Sequence, residues 1–194
     1  MNKEIAIIGV NGKMGKWFAE YFHKMGFKVK GFDTNNEIKE KFIIKANSLV
    51  GAILQMDYVL LWTPTKNTPE IIRLIAKEMK RGSYLIEISS QKSKTALTLL
   101  KTPSKVNPIC IHPMFGPGTK KIDGKNIIIV PVKDAQKELS ATKFSEKLLE
   151  HGVAIAPGEG FGDYKEFFRI TAIDETKLKE GMIILDTILK ESYE

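Results

Sequence analysis

Residues 3–33 read KEIAIIGVNGKMGKWFAEYFHKMGFKVKGFD, and this stretch decides the fold. Ile5, Ala6, Ile7 and Ile8 form a short apolar run, the pattern of a strand buried on both faces of a parallel sheet. Gly9, Gly12 and Gly15 follow at once. From Gly12 to His23 apolar residues return at helical spacing through Met14, Phe18 and Phe22, flanked by Trp17 and Tyr21. Lys28 to Phe32 is a second strand, and Asp33 stands at its end. Strand, glycine turn, helix, strand and acid in that order predict an α/β fold with a doubly wound, mostly parallel sheet.

The chemistry behind that order is dinucleotide binding, in a Rossmann-type domain. A turn without side chains lets the backbone approach a pyrophosphate, whose charge is met by free N–H groups at the helix start. Gly9, Asn11, Gly12, Lys13, Met14 and Gly15 are therefore the expected cofactor-binding turn. Asp33, 18 residues past Gly15, can accept the adenosine ribose hydroxyls. The spacing departs from G-x-G-x-x-G, because Val10 stands where the first glycine would be. The competing interpretation is a βα unit that merely packs tightly. Asp33 favours NAD, since it would repel a 2′-phosphate, while Lys28, Lys30 and Lys39 leave NADP open.

Composition bounds the remaining choices. A chain of 194 residues suits one large domain or one domain plus an appendage, with a sizeable core. The net charge of +7 comes from 30 basic and 23 acidic residues, but only Arg73, Arg81 and Arg169 are arginines. Nucleic-acid readers use arginine forks, so the scattered lysines point to a solvated surface with some pull on anionic small molecules. The lone cysteine, Cys110, lies in an apolar run and reads as a buried hydrophobe in a reducing cytoplasm. No leader or membrane-spanning segment is expected.

Beyond Asp33 the chain continues to alternate. Phe42–Ala46 reads as a weak strand, Ser48–Gln55 as a short helix and Asp57–Trp62 as a buried strand. That strand runs into Thr63-Pro64-Thr65, and strand ends of this kind face the ligand crevice, which makes Thr63 and Pro64 cofactor candidates. Thr68–Lys80 is a helix, with Thr68 as its cap, Pro69 in the first turn, Ile71, Ile72, Leu74, Ile75 and Met79 inward, and Gly82 closing it. Tyr84–Ile88 is a strand running into Ser89-Ser90-Gln91-Lys92, and Thr95–Leu100 is a short helix. Pro108–Ile111, Asn126–Val132 and Val153–Ala156 read as further strands, with a helix over Ala135–Glu150 that turns Leu139, Phe144, Leu148 and Leu149 inward.

Of three histidines, His23 and His151 read as surface residues. His112 follows an apolar strand and precedes a loop of two prolines and two glycines. Imidazole titrates near neutrality, so it can take a hydroxyl proton as hydride leaves the adjacent carbon. Ser90 and Lys92, at another strand end, could orient that histidine or bind a substrate carboxylate. No metal site is expected, because Cys-x-x-Cys, His-x-x-x-His and a carboxylate cluster at ligand spacing are all missing from the sequence.

On these residues the chain resembles the prephenate dehydrogenase family, which includes arogenate and cyclohexadienyl dehydrogenases. IIGVNGKMGKWFA (7–19) is similar to the family's opening turn. EISSQKS (87–93) is similar to its acid-x-Thr/Ser-Ser-Val-Lys segment, with Gln91 replacing valine. IHPMFGPGTKKIDGKNIIIVP (111–131) is similar to its most specific block. The resemblance spans about residues 3–157. It implies that His112 is the catalytic histidine, bonded to the ring hydroxyl of prephenate, with Ser90 orienting the site. The implied reaction is oxidative decarboxylation by NAD(P)+, giving 4-hydroxyphenylpyruvate on the way to tyrosine.

Family members continue into a helical domain that dimerises and supplies an arginine for the substrate carboxylate. Fewer than forty residues follow Pro157 here, and 151–189 resemble the end of pyridoxal-phosphate aminotransferases, where Arg169 would match an arginine that grips an α-carboxylate. The expected organisation is a dinucleotide-binding domain over 1–157 and a strand–helix extension over 158–194, packed on the sheet or on a partner subunit. In that extension Leu178, Met182, Leu185 and Leu189 would share one helix face. Arg169 is a candidate substitute for the missing carboxylate grip. A cytoplasmic homodimer acting on prephenate or arogenate is expected, without nucleic acid or membrane partners. The alternatives are a nucleotide-binding module without turnover and a dehydrogenase of another hydroxy acid.

Overall fold

The computed structural model describes residues 3–35, 37–130, 132, 141–157, 168–172, 180, 181, 183, 184, 187 and 188, with backbone alone at 93, 141 and 168–172. The chain packs as two units, Met1–Cys110 and Ile111–Glu194. That division falls inside one strand, whereas the sequence placed its boundary after Pro157.

The first unit alternates strands and helices: β1 (Glu4–Ile8), α1 (Lys13–Lys24), β2 (Lys28–Phe32), β3 (Ile44–Lys45), α2 (Leu49–Ile53), β4 (Tyr58–Leu61), α3 (Thr68–Glu78), β5 (Tyr84–Glu87), α4 (Ser93–Leu99) and the start of β6 (Asn107–Pro113). The strands lie in the order β3-β2-β1-β4-β5-β6, and their pairings are parallel. This is the Rossmann strand order, with the topological reversal between β1 and β4. Ile5, Ala6, Ile7, Val59 and Leu85 are fully buried, as strands covered on both faces require. Each buried isoleucine or leucine contributes about 1.5–3 kcal/mol relative to exposure.

Local differences from the sequence expectations have simple causes. Thr68 does not cap α3; Asn67 holds the cap position without a side-chain bond. The Thr68 hydroxyl is buried and faces the preceding loop instead, 2.8 Å from Thr63 Oγ1 and 3.2 Å from the Pro64 carbonyl. Gly82 does not close the helix, which ends at Glu78 with Met79 as its cap. Gly82 instead sits at φ +81° in a separate turn, its N–H donating to Lys105 O. The buried stripe of α3 is Ile72, Ile75, Ala76 and Met79 at spacings of three and four; Leu74 lies across the helix from Ile72 and is exposed.

In the second unit, β7 (Lys125–Val130) pairs antiparallel with β9 (Phe168–Ala172), which also pairs antiparallel with β8 (Ala156–Pro157). The strand expected in the C-terminal extension is thus a central member of this ribbon. Helix α5 (Ala141–Glu150) buries Phe144 and Leu148 against Ile188, with Ile129, Val153, Ile155 and Ile184 around them. Leu149, expected inward, is exposed, because it stands one residue off the i, i+4 line of Phe144 and Leu148. Leu139, Leu178, Met182, Leu185 and Leu189 lie outside the described residues, while Ile184 and Ile188 carry the apolar contact of the last helical segment.

Candidate functional site

The glycine turn leaves β1 at the point where the strand order reverses. Gly9 has φ +84° and donates its N–H to Phe32 O at 2.8 Å. A Cβ there would sit 1.8 Å from the Trp62 carbonyl oxygen, so only glycine fits. At Gly15 a Cβ would meet Gly9 O at 2.2 Å, which shows how closely α1 presses on the end of β1. At Gly12 the obstacle is a side chain: a Cβ would lie 2.6 Å from Cδ1 and Nε1 of Trp62. The three glycines thus do separate jobs, one in the backbone turn, one in helix–strand packing and one beside the indole.

Helix α1 starts at Lys13 with Gly12 as its cap residue, no side-chain cap and no acid in its first turn. Its first N–H groups and the positive end of its dipole therefore suit an anion. Lys13 is exposed, and the Met14 side chain is buried, so Met14 can offer a ligand only its backbone.

Asp33 follows β2 and reaches back to the turn. Its Oδ2 accepts the Asn11 N–H at 3.0 Å, and its Oδ1 accepts the Asn35 N–H at 3.0 Å. Asn11 Nδ2 donates to Asn35 O at 2.6 Å, closing a small network. A carboxylate has about four acceptor sites, so two remain for ribose hydroxyls. The nearby lysines are engaged elsewhere: Lys28 with Glu4 at 2.9 Å, Lys30 with the Gly51 carbonyl at 3.0 Å and Lys39 with Glu37 at 3.8 Å.

Across the reversal point, β4 delivers Trp62, Thr63 and Pro64. The Trp62 N–H donates to Ile8 O at 2.9 Å, extending the β1–β4 ladder by one bond. Thr63 lies beside Gly9, its Cγ2 3.6 Å from the position of a Gly9 Cβ, and Pro64 is exposed. The structure therefore brings Gly9, Asn11, Gly12, Gly15, Asp33 and Thr63 together around the turn. It adds Trp62, which had read only as the last residue of a buried strand but is half-buried beside the turn.

At the end of β5 a buried carboxylate organises the next loop. Glu87 is fully buried; its Oε1 accepts the Ser89 N–H, and its Oε2 pairs with Lys92 Nζ at 2.8 Å. Cys110, opposite Glu87 in register on β6, donates its thiol to Oε2 at 3.4 Å. Burial pushes the Cys110 thiol up to about 12; the Glu87 carboxylate adds to that, and the Lys92 ammonium opposes it. Lys92, a candidate for substrate binding, is thus held in this cluster, while Ser90 is exposed on the same loop. Glu87 was missed as a site-shaping residue. Its signal was a lone acid ending an apolar strand with a lysine five residues on.

His112 lies within β6, as its penultimate residue, rather than just after it, and is half-buried. His23 is exposed and stacks on Phe42 with ring centroids 4.4 Å apart; His151 is exposed, with Nδ1 2.9 Å from Lys147 O. Arg169 lies in β9, opposite Ile128 and Ala156 in register. Among the described residues no group of three His, Cys, Asp or Glu could hold a metal ion, and no helix is long and apolar enough to cross a membrane.

A parallel sheet in this order, with a glycine turn and an acid at its reversal point, defines a Rossmann-type nucleotide-binding domain. Residues 18–151 match the family described as "Prephenate dehydrogenase, nucleotide-binding domain". The chain belongs to that family. A Methanocaldococcus jannaschii protein named "Probable arogenate/prephenate dehydrogenase" is 30% identical over 139 residues, which are 67% of this chain and 30% of that protein. The chain thus spans about a third of the length of this curated relative. Among solved structures, a Mycobacterium tuberculosis 3-hydroxyisobutyrate dehydrogenase with L-serine superposes at a TM-score of 0.55, with 17% identity over 60% of this chain and 42% of that one. An Aspergillus terreus reductive aminase in complex with NADPH and ethyl levulinate gives 0.50, with 14% identity over 60% and 43%. At these identities the two share the fold.

Proposed function

We propose that the chain is the nucleotide-binding part of an NAD(P)-dependent prephenate or arogenate dehydrogenase, serving tyrosine formation. The observation that carries this is the glycine turn at the β1–β4 reversal, with the Asp33 carboxylate anchored beside it. Gly9, Asn11 and Gly12, whose N–H groups bond to Phe32, Asp33 and Gly9, form the turn that the pyrophosphate approaches, the N–H groups of Lys13, Met14 and Gly15 at the start of α1 hold it, Asp33 takes the adenosine ribose, and Thr63 and Pro64 line the crevice from β4. NAD is the favoured cofactor, since Lys28, Lys30 and Lys39 are each engaged away from Asp33.

A bound nicotinamide would supply the hydride acceptor for the ring carbon that bears the substrate hydroxyl. His112 takes the hydroxyl proton as that carbon is oxidised, and returns it to the oxygen as CO2 leaves and the ring becomes aromatic. Ser90 orients the hydroxyl, Arg169 is the cation offered to a substrate carboxylate, and Lys92, held by Glu87, fixes the loop that carries Ser90. The protein works as a cytoplasmic homodimer, and a light-scattering mass of twice the chain would support that state.

The decisive assay follows reduced nicotinamide by absorbance with prephenate or arogenate and with NAD+ or NADP+. Turnover is expected in the native protein and lost in His112→Ala, with nucleotide binding by calorimetry unchanged. Absence of turnover with all four combinations defeats the dehydrogenase reading. Nucleotide binding without turnover would favour the second reading, a module that needs a further chain or segment.

A further inference from the structure

The indole of Trp62 is the side chain that stands against the glycine turn. Its backbone forms part of the turn's floor: the carbonyl oxygen fills the place of a Gly9 side chain, and the N–H continues the ladder to Ile8. Its pyrrole edge, Cδ1 and Nε1, occupies the space that a side chain on Gly12 would need. The indole is half-buried, and its Nε1–H finds no acceptor among the described residues. An indole nitrogen can only donate, so among the described residues this group is a donor without an acceptor, packed against Gly12 of the glycine turn. Close by, the uncapped start of α1 presents further donors with no acid to compete for them.

We propose that Trp62 is a cofactor-positioning residue: its Nε1–H donates to a pyrophosphate oxygen of a dinucleotide held at the start of α1. This rests on the nucleotide-binding reading above and deepens it. The ligand is gripped from two sides of the strand reversal, by backbone N–H groups at the start of α1 and by one side chain from the end of β4. The same contact makes Trp62 discriminate by phosphate rather than by nicotinamide. Any adenosine diphosphate ester should engage it, and adenosine should not.

Two measurements on the full chain test this. The protein has two tryptophans, and the other, Trp17, lies on α1 stacked on Tyr21, so Trp17→Phe leaves Trp62 as the sole indole emitter. In that variant NAD+ and ADP-ribose should change the emission to the same extent, and adenosine should leave it unchanged. By calorimetry, Trp62→Phe, which keeps a ring over Gly12 but removes the N–H, should bind NAD+ and ADP-ribose about tenfold or more weakly, the loss expected for a hydrogen bond to a charged group. Equal affinities in native protein and Trp62→Phe, or emission unmoved by ADP-ribose while calorimetry records binding, would overturn the Trp62 assignment and leave the nucleotide site standing. Failure of the native protein to bind either ligand would overturn both. Should Trp62→Phe fold poorly, the emission titration still decides.

Discussion

Removing either member of the Glu87–Lys92 pair should destabilise the protein almost as much as removing both. Glu87 is fully buried and Lys92 Nζ sits 2.8 Å from it, with its side chain only 13% exposed. Truncating one partner of such a pair leaves an uncompensated charge, which costs about 3–5 kcal/mol. Lys92→Met leaves the carboxylate with the Ser89 N–H and the Cys110 thiol as its donors among the described residues. Glu87→Gln keeps an acceptor for Ser89 but leaves the ammonium without its counter-charge. Each single variant should lose about 3 kcal/mol, or about 10 °C in midpoint for a chain of this size. The double variant should lose little more than either single, so a double-mutant cycle should return a coupling of about 2–4 kcal/mol. Urea unfolding followed by circular dichroism measures all four proteins. Because the pair is buried, the coupling should persist at high salt, unlike that of the exposed Glu20–Lys24 pair. Single-variant losses that add within about 0.5 kcal/mol would show that the two groups do not act as a unit.

Three other outcomes follow from the packing and the charges. Gly15→Ala places a Cβ 2.2 Å from Gly9 O, backbone against backbone, so α1 must lift; about 2–3 kcal/mol of stability and the nucleotide affinity should be lost together, and native affinity by calorimetry would contradict this. Cys110, with its thiol raised from 9.0 to about 12, should resist a disulfide reagent at pH 8 until the protein unfolds. The stability tied to that thiol is complete below pH 9 and is lost as pH rises toward 12, because only the unfolded chain ionises; prompt labelling of folded protein would refute this. The Lys80 ammonium, 2.5 Å away, holds the Asp57 carboxyl below its ordinary 3.8. Its contribution is present above that value and lost as pH falls through the lowered one. The pair is substantially exposed, so Asp57→Asn should remove under about 1 kcal/mol, seen as a flatter acid limb of the stability curve.

The sequence alone determined the alternation of strands and helices, the glycine turn and the acid at the end of β2. Those signals are local: apolar runs, bare turns and a carboxylate at a set distance act through neighbours a few residues away. Tertiary structure decided what depends on separate strands meeting. The Trp62 indole lies against Gly12 only because β4 is laid beside β1, and Glu87 faces Cys110 only because β6 pairs with β5 in one register. The same limit explains Thr68, whose cap-like position gave no hint that its hydroxyl would turn to the Thr63 loop. It also explains β9, read as an appendage but paired on both edges. Periodicity shows which face of an element is apolar; which partner covers that face is set by long-range pairing, which no short stretch of chain encodes by itself.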